Sequence, residues 1–600
     1  MFKQHPRGLI VAFFTNMGER FGFYTMMAIL VLFLQARYGL DEEAAGEIYS
    51  WFYFGIYALA LVGGLLADYT KKYKTVILVG QIVMFAGYAA LALPGLPLAL
   101  TIAGLFTIAL GNGLFKGNLQ AVVGQMYDDP KYSKFRDSAF MVFYMGINVG
   151  AFFAPFAATG IRNWWLGANG FLHDGSLPAV CHQYINGTLE DPAKLQVLAD
   201  KVSLTGPVTD LSVFAHNYLE VFARGYNYAF GIAAIAMVIS LSVYLVYSKL
   251  LPNKEKIVAA STDVKIEKKP LTGVFALLIA LAVGAAIYFT TTNRDIAFAF
   301  GLFAGFVAWI VQISTKEERP RIMALLMVFL VVIFFWMSFH QNGLTLTFFA
   351  RDYTAKTVGP VTYMFFTLEN ILSVIGFIAG IVLVLGKKNS MKTRLIGGAL
   401  LLVGGGLGYY FFSKAGIANS ISPEVFQSFN PLFIVSLTFP VMAFFLWLNK
   451  KGLEPSTPKK IGIGMIIAAI GFSIVLVASL NLVSPHELLN PDGKFNPVPD
   501  SSRVMPYWLM SSYLILTIAE LFLSPMGLSF VSKVAPPRFQ GLMQGGWLLA
   551  TAVGNKLLVV GSFFWGKLDL SQLWLIFIVC CLLSAAFIFS IIKRLEKVTQ

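Results

Sequence analysis

The sequence predicts an all-α protein that crosses a membrane many times. Of its 600 residues, 57% are hydrophobic and only 13% are charged. Soluble globular chains carry about 25% charged residues, so this composition excludes that class. The apolar residues also fall in long runs, and a helix needs about 20 of them in succession to cross a bilayer. We therefore expect a multi-pass membrane protein built from helices.

We predict sixteen membrane-spanning helices from these apolar runs. They lie near residues 8–36, 46–68, 75–94, 97–126, 137–160, 226–250, 271–291, 296–314, 321–349, 361–386, 394–413, 430–449, 461–483, 505–531, 541–565 and 572–593. The first run directly follows M-F-K-Q-H-P-R and has no small-residue cleavage site, which indicates a retained helix rather than a signal peptide.

The basic residues predict how these helices are oriented. The net charge is +14, and lysine and arginine collect in every second loop, whereas the alternate loops hold few. Basic loops stay on the cytoplasmic side of a membrane. The alternation therefore predicts an even number of spans in a cell (inner) membrane, with both termini in the cytoplasm. It also argues against a basic face that binds nucleic acid.

Long loops divide the chain into three predicted parts. Residues 1–250 form a six-helix bundle, and residues 251–320 form a charged linker followed by an extra helix pair. Residues 321–600 form a second six-helix bundle with an inserted helix pair at about 361–413. The loop 161–225 faces outside the cell, and its W-W pair, glycines and polar residues fit either a small cap or an unstructured insertion.

Four ionisable residues inside predicted spans give the first indication of a site: Glu19, Arg20, Lys116 and Glu520. A charge in the bilayer costs roughly 2.5–3.5 kcal/mol on insertion scales, so such groups usually face a cavity and pair with one another. Two positive and two negative charges sum to zero, and one shared cavity would satisfy all four. Simpler explanations exist: Glu19 and Arg20 could form a structural pair, and Lys116 could snorkel from a span end.

Short motifs within the spans resemble those of known transporters. G-G-L-L-A-D-Y-T-K-K-Y-K at 63–74 contains Gly64, Asp68 and a basic cluster, and it resembles the loop signature of the major facilitator superfamily. Five further stretches are E-R-F-G-F-Y (19–24), G-N-G-L-F-K-G-N (111–118), F-M-V-F-Y-M-G-I-N-V-G-A-F (140–152), F-Q-S-F-N-P-L-F-I (426–434) and A-E-L-F-L-S-P-M-G-L-S-F (519–530). Together they resemble the proton-dependent oligopeptide transporter family. That resemblance implies the major facilitator fold, with two six-helix bundles and, here, about four additional helices.

The resemblance also implies roles for the residues that match these motifs. Arg20 and Lys116 would hold the carboxylate of a peptide, and Glu520 would hold its amino group. Asn148 and Asn430 would bond the peptide amide. The aromatic residues expected to line side-chain pockets are Tyr24, Tyr57, Trp336 and Trp547. The two tryptophans fit ordinary packing equally well, and Asn148 also fits a hydrogen bond between helices.

The sequence departs from the family pattern in ways that bear on proton coupling. Asn16 stands where the first element usually begins with Glu, and it cannot titrate. His340 stands where the family commonly has Asp or Glu four residues after the tryptophan, and a protonated histidine is positive where a protonated acid is neutral. His340 therefore fits a proton relay, a neutral hydrogen-bonded pocket residue or a peptide contact. The expected coupling residues are Glu19, Arg20, His340 and Glu520. The second helix pair, at 361–413, is a further departure.

These observations predict a secondary active transporter that imports di- and tripeptides by proton symport with alternating access. The alternative is a facilitative or weakly proton-coupled carrier of peptides or of another small zwitterionic or anionic solute. We expect no enzyme activity, because the spans hold no nucleophile elbow and no H-E-x-x-H. Cys181, Cys580 and Cys581 have no metal-binding spacing, so we expect no metal and no cofactor. The predicted partners are the peptide, protons and the lipid bilayer, and we expect a monomer.

Overall fold

The structure is a computed structural model that describes residues 5–252, 270–387, 389–491, 495–536 and 539–599. Within them the chain forms twenty-two α-helices and one small sheet. The first helices are α1 (Gly8–Tyr38), α2 (Glu42–Thr70), α3 (Tyr73–Ala92), α4 (Leu98–Gln125), α5 (Arg136–Ala168), α6 (Leu177–Ile185), α7 (Pro192–Val202), α8 (Leu211–Tyr247), α9 (Pro270–Thr291), α10 (Arg294–Ile313) and α11 (Arg319–Phe339). The others are α12 (Thr345–Asp352), α13 (Pro360–Tyr363), α14 (Leu368–Leu385), α15 (Met391–Lys414), α16 (Phe429–Lys450), α17 (Thr457–Ser479), α18 (Tyr507–Val534), α19 (Gln540–Lys556), α20 (Val559–Trp565), α21 (Leu570–Ser590) and α22 (Ile592–Thr599). The strands β1 (Thr357–Val358) and β2 (Asn419–Ser420) pair antiparallel.

The predicted all-α membrane fold is confirmed. Fifteen helical segments in the described part of the chain are long and apolar enough to cross a membrane, and they coincide with fifteen of the sixteen predicted spans. The span predicted at 505–531 corresponds to α18. Most of the charged linker, residues 253–269, lies outside the described residues.

Two six-helix bundles form the core of the molecule. The first contains α1 to α5 and α8, and the second contains α11, α16 to α19 and α21, with α20 continuing from α19. The bundles pack against each other through α2 with α19 and through α5 with α16. The helix pair α9–α10 packs on the second bundle, and the pair α14–α15 packs mainly on itself. α9, α14 and α15 bury few of their residues, whereas α10 packs one side against α11 and α19 of the second bundle.

Glycine allows close helix contacts in the first bundle. A Cβ atom at Gly113 of α4 would lie 2.6 Å from the Leu59 carbonyl of α2, and one at Gly63 would lie 2.2 Å from the Gly113 oxygen. Gly64, the glycine singled out in the motif, is different, because a Cβ there would meet nothing within 4 Å. The close approach of α2 to α4 therefore depends on Gly63 rather than on Gly64. The side chain of Asp68 lies outside the described residues.

The two ends of the bundles differ, and we name them the terminal face and the cap face. The terminal face carries the start of α1 and the end of α21. The cap face carries residues 169–210, which we call the cap, and the loops that follow α12 and α15. The tight turn from α1 to α2 also lies there: Gly39 is left-handed (φ 64°), and Asp41 accepts a hydrogen bond from the Ala44 backbone at 2.8 Å.

The loop predicted at 161–225 is a folded cap rather than an unstructured insertion. Its helices α6 and α7 bury their own apolar side chains, including Leu177, Cys181 and Leu195. Leu172 and Leu204 make backbone hydrogen bonds across the cap, to Val202 and Gly170 respectively. The loop is shorter than predicted, because α5 extends to residue 168 and α8 already begins at residue 211.

Candidate functional site

The central feature of the site is a buried ion pair on α1. Arg20 donates from Nε and Nη2 to the two carboxylate oxygens of Glu19, each at 2.5 Å. Asn112 of α4 donates a further hydrogen bond to Glu19 Oε1 at 2.8 Å. Both charged side chains are almost completely buried. The fork of Arg20 is thus occupied by a carboxylate from its own helix, in the bidentate geometry that guanidinium groups favour.

Lys116 of α4 is the second cation of the site. Its ammonium lies 4.6 Å from the ring centre of Tyr57 on α2, and it is within electrostatic range of both Arg20 and Glu19. In the part of the chain that the structure describes, Lys116 makes no ion pair. An unpaired, partly buried ammonium over an aromatic ring is able to accept an anionic ligand.

Glu520 of α18 is the acidic group on the opposite side of the site. Asn430 of α16 donates to Glu520 Oε2 at 2.9 Å and to Thr517 Oγ1 at 3.0 Å. Glu520 is 8% exposed and makes no ion pair within the described residues. It lies within electrostatic range of Tyr24 and Tyr57, which belong to the first bundle. These two tyrosines are also within range of Arg20, so they lie near both the cation and the acid.

His340 lies where α11 ends, packed between aromatic rings. Its imidazole stacks on the Trp336 ring, with the ring centres 4.6 Å apart. The ring of Tyr53 on α2 also contacts the imidazole, at a centre-to-centre distance of 4.6 Å. Its Nδ1 lies 2.5 Å from Asn555 Oδ1 of α19. Lys116 is within electrostatic range of this imidazole. His340 and Trp336 therefore join the second bundle to the side of the site that carries the cations.

The remaining predicted residues are less closely tied to this cluster. Asn148 donates to the Tyr144 carbonyl of its own helix at 3.1 Å, and Asn16 donates a long bond of 3.5 Å to the Phe143 carbonyl of α5. Trp547 is buried and packs edge-on against Phe329. These contacts show the hydrogen-bonding and packing roles that such residues commonly have in membrane bundles.

Sequence reasoning missed several members of the site. Tyr53 precedes Tyr57 by one helical turn, and Asn112 precedes Lys116 by one turn, so the helical period could have identified both. Thr517 and Asn555 are bonding partners of predicted residues on other helices. Thr517 also lies one turn before Glu520, but no local sequence signal identifies Asn555, because it meets His340 only through helix packing.

Ion pairs between the two halves of the molecule close the cap face, and the sequence did not predict them. Arg162 of α5 bonds Glu424, and neither side chain is exposed. Tyr226 donates to the same Glu424 oxygen at 3.1 Å, and Ser422 accepts from Arg162 at 3.0 Å. Further pairs among the described residues include Glu42–Arg351 at 2.8 Å, Asp174–Lys356 at 2.6 Å and Glu43–Lys567 at 2.9 Å.

The pair in the cap also affects ionisation. Burial alone would raise the pKa of the Asp174 carboxyl, but the Lys356 ammonium, which bonds both of its oxygens, holds that pKa below its usual value. Asp174 therefore stays ionised, and the bond between the cap and the second half of the chain persists at neutral pH.

Two six-helix bundles that meet around buried charges, and that are closed at one face, define a membrane transporter of the major facilitator type. The family profile described as PTR2, POT family, matches residues 73–407 and 413–564. The chain belongs to the POT family.

Curated relatives are similar to this chain over most of its length, and solved structures share its fold. The chain is 27% identical to the peptide transporter YePEPT of Yersinia enterocolitica, over 92% of this chain and 87% of that protein. It is 26% identical to dipeptide and tripeptide permease A of Erwinia pyrifoliae, over 92% and 84%. A crystal structure of a peptide transporter POT in complex with sulfate matches with a TM-score of 0.63 at 24% identity, covering 100% of this chain and 96% of that one. A tetrameric PepTSo2 matches with a TM-score of 0.58 at 20% identity, covering 98% and 97%.

Proposed function

We propose that this protein imports di- and tripeptides together with protons. The observation that carries the proposal is the separation of charge across the site: Arg20 and Lys116 stand on the first bundle, and Glu520 stands on the second. Tyr24 and Tyr57 lie within electrostatic range of both Arg20 and Glu520. A short peptide carries a carboxylate at one end and an ammonium at the other. It can therefore bridge the two bundles and complement both sides.

The proton circuit follows from the bonding of Arg20. In the structure Glu19 occupies the guanidinium fork. A proton on Glu19 would neutralise the carboxylate and release Arg20 to the peptide carboxylate, so proton binding and peptide binding would favour each other. Glu520 and His340 are the further coupling groups of the proposal. A membrane potential of 100 mV supplies about 2.3 kcal/mol per charge moved, which corresponds to about fifty-fold accumulation per proton.

The orientation in the membrane follows from the loop charges. We place the protein in a cell (inner) membrane with the terminal face in the cytoplasm and the cap face outside, because the basic loops belong to the terminal face. The ion pairs of the cap face then close the outer side, and the bundles would rock to break them and admit peptide. We propose a monomer as the transporting unit, since each chain contains residues for both ends of the peptide.

Two residues favour a second candidate, a facilitator or a weakly coupled carrier of peptides or another small zwitterionic or anionic solute. Asn16 cannot carry a proton, and its amide is directed to a backbone carbonyl. His340 is packed between rings and bonded to Asn555, as a neutral pocket residue would be. In this candidate the same cluster binds the solute, but little proton movement accompanies it.

Uptake of labelled trialanine into proteoliposomes separates the two candidates. For symport we expect accumulation well above the equilibrium level when an inward proton gradient is imposed, and loss of that accumulation when a protonophore is added. Empty liposomes provide the background. If trialanine equilibrated across the membrane independently of the proton gradient, the facilitator would be the correct candidate. If no saturable trialanine uptake were measured with or without the gradient, peptide transport would be contradicted.

Replacing Asn16 by glutamate is expected to increase the pH dependence of uptake. Residue 16 lies one helical turn before Arg20, so the new carboxylate would reach the guanidinium and compete with Glu19 for it. Initial uptake rates measured across pH 5 to 8 should then vary more steeply with pH than in the wild type, because a second titratable group interacts with Arg20. The steeper pH dependence should correspond to roughly one additional proton.

Asn16→Gln is the matched control, because it lengthens the side chain without adding a titratable group. Its pH profile should follow the wild type. If Asn16→Glu and Asn16→Gln gave the same profile, residue 16 would have no part in the proton circuit.

A further inference from the structure

A lateral groove on the membrane-facing side of the molecule is separate from the central site. It lies between α1, α5 and α8 of the first bundle and the start of α14 with the segment 420–425 of the second half. Its volume is about 860 Å³. The apolar residues of its walls include Phe21, Phe153, Phe156, Ile232, Ile235 and Ile239. These walls belong to membrane spans, so the groove opens toward lipid rather than toward water.

The groove spans one leaflet of the bilayer. Along α5 it runs from Gly150, near the middle of the helix, to Asn163, near the cap face. Thirteen residues of α-helix rise about 20 Å. One leaflet of hydrocarbon is about 15 Å deep, half of the full apolar thickness, and the headgroup region lies beyond it. The apolar part thus matches the depth of an acyl chain, and the end at the cap face reaches headgroup level.

The polar end of the groove contains one acid and several hydrogen-bond donors. Glu369, in the first turn of α14, is the only charged residue among those described that line the groove. Its carboxylate makes no ion pair within the described residues. Asn163 Oδ1 accepts two bonds from Arg162, which leaves its amide hydrogens available, and Ser422 accepts from Arg162, which leaves its own hydroxyl proton available.

This set of groups matches one headgroup chemistry. Glu369 can accept hydrogen bonds from a primary ammonium, and the Asn163 amide and Ser422 hydroxyl can donate to a phosphate. A quaternary ammonium has no N–H to donate. The glycerol headgroup of phosphatidylglycerol has no ammonium to pair with Glu369, and the net negative charge of that lipid would find no lysine or arginine among the described lining residues. We propose that the groove binds a phosphatidylethanolamine molecule of the leaflet at the cap face.

Such a lipid would also affect the closed cap face. Asn163 and Ser422, together with Tyr226, accept hydrogen bonds from Arg162, which forms the buried pair with Glu424. A headgroup bound to Asn163 and Ser422 would contact both halves of the molecule at once. Binding of the lipid would therefore favour the conformation in which the cap face is closed.

Native mass spectrometry of the purified, delipidated protein tests the proposal. The protein is titrated with phosphatidylethanolamine, phosphatidylcholine or phosphatidylglycerol of identical acyl chains. We expect the wild type to bind the ethanolamine lipid about tenfold more tightly than the other two. Glu369→Gln should remove this preference. Glu220→Gln, at an exposed acid on α8, should keep it.

A pair of glycine variants on α5 tests the location. A Cβ at Gly160 or at Gly167 would meet nothing within 4 Å, but only Gly160 is among the lining residues. Gly160→Leu should fill the groove and lower the affinity for ethanolamine lipid by about tenfold, whereas Gly167→Leu should bind like the wild type. Equal binding of the three lipids, a preference that survives Glu369→Gln, or unchanged binding by Gly160→Leu would overturn the proposal. A dimer that forms on delipidation and is lost in Gly160→Leu would assign the groove to a second copy instead.

Discussion

Replacing Lys116 by alanine is expected to lower peptide uptake by roughly 100-fold, because a hydrogen bond to a charged group contributes about 1.5–3 kcal/mol. Arg20 is held by Glu19, so in the proposed function Lys116 would be the cation that meets the peptide carboxylate before any proton is bound. The measurement is the initial rate of trialanine uptake over a range of concentrations. Loss of the anchor should appear mainly in KM, because the proposal uses this charge to bind the peptide carboxylate.

Two control variants accompany Lys116→Ala. Lys116→Arg keeps the positive charge and should retain a substantial part of the uptake. Lys131→Ala removes an exposed lysine that also lies over a tyrosine ring, Tyr132 at 5.2 Å, and it should transport like the wild type. Near-normal uptake by Lys116→Ala, in protein shown to be inserted and monodisperse, would remove Lys116 from the binding site.

The overall fold could be predicted because its main signals are local. A membrane helix is recognised by its apolar run, and the alternating loop charges predict an even number of spans and their direction. The structure accordingly reproduces the predicted helices α1 to α5, both inserted pairs and the second bundle. The structure of the cap was harder to predict from the sequence. Its helices α6 and α7 are only 9 and 11 residues long, and their apolar residues are interrupted by polar ones.

The site could be predicted only in part. Buried charges are rare enough in apolar spans for Glu19, Lys116 and Glu520 to stand out individually. Their partners stand out less: Asn112 could be found from its spacing of one turn to Lys116, but Asn555 is a polar residue whose importance depends on which helix faces it. Gly63 and Gly64 show the same limit. The motif contains both glycines, but the helix rotation that directs Gly63 toward α4 is set by packing.

The ion pair of Arg162 with Glu424 illustrates this limit most clearly, since its members are 262 residues apart and lie in different halves. Replacing Glu424 by alanine is expected to destabilise the closed cap face by about 3–5 kcal/mol, because it leaves the arginine charge buried without a partner. An equilibrium shift of that size should open the cap face in most molecules. The distance between spin labels at Val197 of α7 and Ile417 of the loop after α15, both exposed, measures the opening.

The double variant Arg162→Met with Glu424→Leu distinguishes two effects of Glu424→Ala. One effect is the loss of the attraction between the charges, and the other is the burial of the Arg162 charge without a partner. Replacing both members of a buried pair by apolar residues of similar size is often nearly neutral. The double variant should therefore regain most of the label distance of the closed face, even though Tyr226 and Ser422 lose their bonds to the pair. If the double variant opened as widely as Glu424→Ala, the attraction between the charges would hold the face shut. If neither variant changed the distance, closure would depend instead on the cap and on the pairs of Arg351 and Lys356, which remain intact in both variants.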